Sequence, residues 1–338
     1  MILIINNITD PYFNMACEEY LMDTSSEVTV MLWRNDRAVI IGKNQNADET
    51  VNIDFAKRNG IAVVRRLTGG GAVFHDLGNV NYTFIVPKAD SPDDFSSFSA
   101  PVLDALRGLG INAECSGRND LTVDGKKISG TARCEFRGHA GDVIMHHGTL
   151  LFSADMDKLE AALKVDEEKI RSKGIKSVSS RVANIKDLLH DERASMTVTD
   201  LIDYLTQYFL KAGAKKRELT QQDIERISAL SNEKYRTQKW LFKAGADDFD
   251  IWRQKRFPFG SVKISLSCKA QNVGEKAAIG RAKIEGDFFG DEDVTTLEAM
   301  LVGVGYSRKS VEEALMCVDV AKYIRGADAN DIAELIFG

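Results

Sequence analysis

The residue types that could do chemistry concentrate in two stretches of this 338-residue chain. The first, residues 63–86, reads VVRRLTGGGAVFHDLGNVNYTFIV. Three consecutive glycines, Gly69, Gly70 and Gly71, forfeit backbone entropy unless the loop needs positive φ values or a close approach of backbone to something else. Successive N–H groups in such a loop can form a concave anion site, and Arg65 and Arg66 stand just before it. A wide hairpin without a ligand would use the same glycines. A dinucleotide fingerprint is excluded, because Phe74 occupies the place of its third glycine and a strand-like run, not a helix, follows. The second stretch, residues 117–136, reads GRNDLTVDGKKISGTARCEF. Asp124-Gly125 between LTV and KKIS signals a type I′ hairpin. Lys126 and Lys127 then open the return strand pointing to opposite faces, with Asn119 and Asp120 close to them in space. A core-side lysine beside a carboxylate and an anion loop would neutralise phosphate or polarise a carboxyl oxygen. The bland alternative is a solvated, lysine-rich turn.

The elements that must position these groups are legible around them. Asp10-Pro11 is a helix start, and Phe13, Ala16, Cys17, Tyr20 and Leu21 continue an amphipathic helix to about Asp23. Residues 28–34 and 37–43 read as strands, and Asn35-Asp36 between them as a hairpin turn. A helix over 93–110, a strand over 143–152 and a helix over 156–165 follow. Residues 171–185 are polar with little hydrophobic period and read as an ordered loop. Helices over 197–213 and 219–235 come next, the second with a capping-box start at Thr220 and Asp223. An acidic, glycine-containing junction at 245–250 predicts a boundary between a domain of residues 1–245 and one of 250–338. The latter holds strands over 261–270 and 280–289, then short helices, with no cluster of catalytic residue types.

Composition narrows the class. A hydrophobic fraction of 44% and a charged fraction of 28% are those of an ordinary soluble protein. No run has the length and apolarity of a membrane span, and the start lacks the form of a signal peptide, so a cytoplasmic location is expected and a membrane partner is not. A net charge of −6 argues against a nucleic-acid binder. The five cysteines form no C-x-x-C pair and read as reduced thiols. His146 and His147 are adjacent and so face opposite sides of a strand.

Taken together, RRLTGGGAVFHDLGNVNYTF, GRNDLTVDGKKISGTA, HHGTLL and KGIKSVSSRVANI resemble the lipoate–protein ligase family, over essentially the whole chain and in the family's order. The resemblance implies an α/β (α+β) fold, a central mixed β-sheet flanked by helices as in biotin and lipoate ligases, with a small α+β C-terminal accessory domain. It implies activation of lipoate or octanoate by ATP with Mg2+, then transfer to a lysine of the lipoyl domains of 2-oxoacid dehydrogenase complexes or of glycine cleavage H protein, by a monomer. Carried over by residue, it implies ATP contacts from Arg66, Gly71, Ala72, Val73, Phe74, Lys127, Ser177, Val178, Ser180 and Arg181. Lipoate contacts would come from Lys127, Gly70, Arg65, His75 and His147. Lys127 is the catalytic residue, and Asp120 and Asn119 are the implied Mg2+ neighbours. Cys134, seven residues after Lys127, departs from the pattern and leaves a rival, an ATP-independent octanoyl or lipoyl transferase working through a cysteine thioester. A non-catalytic lipoate-binding module is the rival from outside enzymes.

Overall fold

The computed structural model describes all residues except 92–94, 117–118, 165–180, 244–248 and 270–276. It divides into two compact units. The first comprises residues 1–40, 48–67 and 73–241, and the second residues 41–47, 68–72 and 242–338. Two short pieces of the N-terminal part, one of them the glycine loop, therefore fold with the C-terminal residues, and no single cut in the chain separates the units.

The first unit is built on an eight-stranded mixed sheet with the order β11 (Lys215–Lys216), β1 (Ile2–Asn6), β2 (Thr29–Trp33), β6 (Asn79–Pro87), β10 (Gly141–Leu151), β9 (Lys126–Gly138), β8 (Asp120–Val123) and β7 (Glu114–Ser116). β1 runs parallel to β2 and β11, whereas β2, β6, β10, β9, β8 and β7 pair antiparallel in turn. The alternation along β6 separates two cores. Val80, Tyr82, Phe84 and Val86 enter one cluster with Val102, Leu106, Leu201 and Leu205. On the other face Ile85 joins helix α1 (Pro11–Thr24) through Phe13, Ala16, Cys17 and Leu21. On that second face the next positions of β6 are polar and buried: Asn79, Asn81 and Thr83. α1 starts as its sequence predicts, with the Asp10 carboxylate accepting from the Tyr12 and Phe13 N–H groups and Pro11 in the first turn. Among the described residues no helix is long and apolar enough to cross a membrane.

The expected hairpin at Asn35-Asp36 does not form. β2 pairs with β1 and β6, while β3 (Ala38–Ile41) lies in a separate three-stranded sheet between β4 (Ala62–Arg65) and β5 (Val73–His75). Asn35 is fully buried, because its side chain is bonded inward instead of turning at the surface. The Asp-Gly hairpin does form: Asp124 and Gly125 have φ values of 49° and 74°, the left-handed pair that a type I′ turn needs.

In the second unit, β12 (Ile251–Phe257), β13 (Gly260–Lys269) and β14 (Ala278–Gly286) form an antiparallel sheet. Val262, Ile264, Leu266 and Ile284 pack on Leu297, Leu301, Val311, Leu315, Ile332 and Ile336 of the following helices. The glycine loop belongs to this unit, and its composition has a packing cause. A Cβ on Gly69 would lie 2.4 Å from the Phe288 carbonyl oxygen, and one on Gly42 would lie 2.0 Å from that of Gly70. Gly70 has φ 89° and donates its N–H to the Phe288 carbonyl at 3.2 Å. Lys43 pairs with Asp293 at 2.9 Å, and Asp293 caps helix Val294–Leu301. Burial works against the Asp293 carboxylate, but Lys43 and the Thr295 N–H outweigh it and hold its pKa well below the usual range.

Candidate active site

The Asp-Gly hairpin turns Lys126 outward, and Lys127 reaches back over its own strand. Its ammonium lies 2.6 Å from Asp120 Oδ1, with both side chains about one-third exposed at 31% and 34%. Its path crosses Gly130, where a Cβ would lie 2.6 Å from Lys127 Nζ. The backbone beneath is held too: Val182 bridges Lys127 in parallel, and the Ala183 N–H donates to the Lys127 carbonyl at 2.9 Å. Asn119 directs its amide nitrogen to the Thr131 carbonyl at 2.7 Å, which fixes the amide beside Asp120.

A second polar group lies on the α1 side of the same sheet. Glu18, 2% exposed, accepts from the Thr83 hydroxyl at 2.6 Å and sits 2.8 Å from His147 Nδ1. Thr83 in turn accepts from Trp33 Nε1 at 2.9 Å. With Nδ1 turned to a carboxylate, His147 presents Nε2 on its other side. Arg66 is buried and donates to the Ile40 carbonyl at 3.1 Å. Burial lowers its pKa to about 10, with Glu18 opposing and Arg65 reinforcing the shift. His75, 4% exposed, is lowered to about 3 by burial first, then by Arg66 and His147, so it is neutral at physiological pH. His146 faces the opposite side of β10, as the alternation demands, and stacks on Phe98 with ring centroids 4.9 Å apart.

Lys127, Asp120 and Asn119 are brought together. Arg66, His75 and His147 form a second group around Glu18. Lys127 of the first group and His147 of the second lie on neighbouring strands, β9 and β10, where the Gly130 N–H donates to the Thr149 hydroxyl at 3.2 Å, two residues beyond His147. Val73, Phe74 and His75 form β5 in the first unit, whereas Gly70, Gly71 and Ala72 belong to the second. Arg65 goes elsewhere. It is 1% exposed, and its Nε donates to the Trp240 and Leu241 carbonyls at 3.0 Å each. Trp240 Nε1 returns a bond to the Arg65 carbonyl at 2.9 Å. This arginine ties β4 to the end of helix Gln238–Phe242. Ser177, Val178 and Ser180 lie outside the described residues. Arg181 is described and directly precedes the pairing of Val182 with Lys127. Cys134 is buried in the apolar α1-side cluster, opposite Met145. Sequence reasoning missed Glu18, Asn14 and Asn35. The first two carried a signal, since positions 14, 18 and 21 share one face of α1 and two of the three are polar.

The fold and the site define an enzyme class in which a large mixed sheet carries a lysine–carboxylate pair and an accessory α+β unit follows. Residues 10–210 match the model of the lipoyl protein ligase A/B catalytic domain, and residues 246–336 that of the bacterial lipoate protein ligase C-terminus. The lipoate-protein ligase LplJ of Bacillus subtilis (strain 168) is 40% identical over 338 residues, covering 98% of each chain. Among solved structures, P. falciparum LipL1 in complex with lipoate superposes with a TM-score of 0.77 at 25% identity, covering 94% of both chains. A lipoate-protein ligase A bound with ATP gives a TM-score of 0.59 at 27% identity, covering 71% of this chain and 98% of that one. The chain belongs to the lipoate–protein ligase family.

Proposed function

We propose that this enzyme joins lipoate to ATP at the Lys127–Asp120 pair and then transfers the lipoyl group to a lysine of a lipoyl domain. The acceptors are the lipoyl domains of 2-oxoacid dehydrogenase complexes or glycine cleavage H protein. The supporting observation is the placement of Lys127, whose ammonium is held 2.6 Å from Asp120 over Gly130, where a Cβ would displace the end of its side chain. In the first step a lipoate carboxylate oxygen attacks the α-phosphorus of ATP, the bond to the bridging oxygen breaks, and pyrophosphate leaves with its electron pair. Two anions must meet for this, and the positive charges of Lys127 and Arg66 offset their repulsion. In the second step the neutral amine of the acceptor lysine attacks the carbonyl carbon of the anhydride. An amide forms, AMP leaves, and the amine's surplus proton is released to solvent. Lys127 stabilises the carbonyl oxygen as it becomes negative.

Asp120 and Asn119 suit a magnesium ion. One carboxylate and one amide oxygen are what such an ion takes from a protein when phosphates and water complete its shell, and among the described residues no group of three or more acidic, histidine or cysteine side chains offers an all-protein cage. The ion, when bound, supplies charge neutralisation on the departing pyrophosphate. Glu18 and His147 bound the acyl side of the site, and His75 supplies a neutral donor there. Lipoate-dependent exchange of labelled pyrophosphate into ATP tests the reading: exchange that requires lipoate is expected. Lipoyl transfer without ATP, abolished by Cys134→Ser, would instead support the thioester route.

A further inference from the structure

The tautomer of His75 is fixed by a chain of asparagines that begins and ends on backbone groups. The Asn6 side-chain oxygen accepts from the Ile8 N–H at 3.0 Å, so its amide nitrogen is the atom that donates to Asn14 Oδ1 at 2.7 Å. Asn14 Nδ2 is then surrounded by oxygen: the Ile8 and Arg34 carbonyls and Asn35 Oδ1, each at 2.9 Å. A flipped Asn35 would set nitrogen against nitrogen there. Its own amide nitrogen therefore faces His75 Nδ1, at 3.1 Å. A ring nitrogen that accepts carries no proton, and a neutral imidazole has its single proton on the other nitrogen. That nitrogen, Nε2, is buried and has no acceptor among the described residues. Of the charged groups beside it, Arg66 is a donor only.

We propose that Asn35, oriented by Asn14, is a positioning residue that holds His75 as an Nε2–H donor for an oxygen of the bound acyl substrate's carboxyl group. The inference rests on reading His75 as part of the lipoate site. It explains why an amide is buried at the foot of β3 where a surface turn was expected. It also explains why a buried N–H is left without a protein partner, an arrangement that is costly unless a ligand completes it.

Histidine-selective ¹⁵N NMR of the full chain tests this, with the His75 signals assigned by their loss in His75→Asn. The expected wild-type spectrum has bare Nδ1 and protonated Nε2 across neutral pH, and added lipoate shifts the Nε2–H resonance. In Asn35→Asp the carboxylate can only accept, so Nδ1 gains a proton. In Asn35→Ala the KM for lipoate rises roughly threefold to tenfold, the worth of one neutral hydrogen bond, at little change in kcat. A protonated Nδ1 in the wild type, or a bare Nδ1 in Asn35→Asp, overturns the proposal. If the variants do not fold, the wild-type spectrum decides by itself. An Nε2–H that ignores lipoate in a protein that still exchanges pyrophosphate removes His75 from the lipoate site, and the proposal with it, but leaves the ligase reading intact.

Discussion

Replacing Lys127 by methionine separates catalysis from stability more cleanly than any other change in the site. The side chain stays unbranched, one heavy atom shorter, and loses its charge. Its ion-pair partner is Asp120, and both members of the pair are about one-third exposed. A pair in that setting is screened by water and contributes about 0.2–1 kcal/mol to folding. The backbone bonds to Val182 and Ala183 use main-chain atoms and survive. The catalytic loss is larger, because the ammonium acts on charge that develops between two anions. Removing one donor from such a site costs about 2.7–4 kcal/mol, or roughly 10²–10³ in rate. Lipoate-dependent pyrophosphate exchange should therefore fall by about that factor while the thermal midpoint moves by a few degrees at most. Lys126→Met, on the outward side of the same turn, should leave both unchanged. Loss of exchange in Lys126→Met with retention in Lys127→Met would refute the facing assignment. A fall in Lys127→Met that merely tracks unfolded protein would refute the catalytic role.

Gly130→Ala should lower exchange without unfolding the protein, since the added Cβ meets the movable end of Lys127 at 2.6 Å rather than backbone; melting curves beside the exchange rate check this. Glu18→Ala strands the buried Thr83 hydroxyl and His147 Nδ1, and denaturant titration should show a loss of about 3 kcal/mol. Asp223 is pushed up by burial, but the Tyr20 hydroxyl, the Thr220 N–H and the Arg217 guanidinium outweigh that and hold its pKa at about 2. Its folded pKa is thus below the unfolded value, so its contribution is present above about pH 4 and is lost as pH falls towards 2. Trp240 fluorescence should report loosening of the helix that packs on α1 in that window, and Asp223→Asn should be loosened already at neutral pH, with the acid step gone.

What could be read in the letters and what could not divide along a physical line. The Asp124-Gly125 turn was legible because its left-handed φ values are dictated locally, and strand alternation then sends Lys126 and Lys127 to opposite faces, while the choice of Lys127 between them came only with the family resemblance. The same local logic failed at Asn35-Asp36. The letters favour a turn, but a buried asparagine gains more from Asn14 and His75 than from water, and those partners are 21 and 40 residues away. The glycines left an anion site, a ligand-free hairpin and a close backbone approach all open, and Gly69 has a packing reason to lack a side chain: a Cβ there would clash with the carbonyl of Phe288. Arg65 and Arg66 show the limit most sharply. Adjacent in sequence and identical in type, at the end of β4 and just after it, they take different partners: one guanidinium serves the Trp240 and Leu241 carbonyls while the other comes under the field of Glu18. Spacing could predict that they diverge. Only the long-range packing of α1 and helix Gln238–Phe242 decides which of the two faces the chemistry.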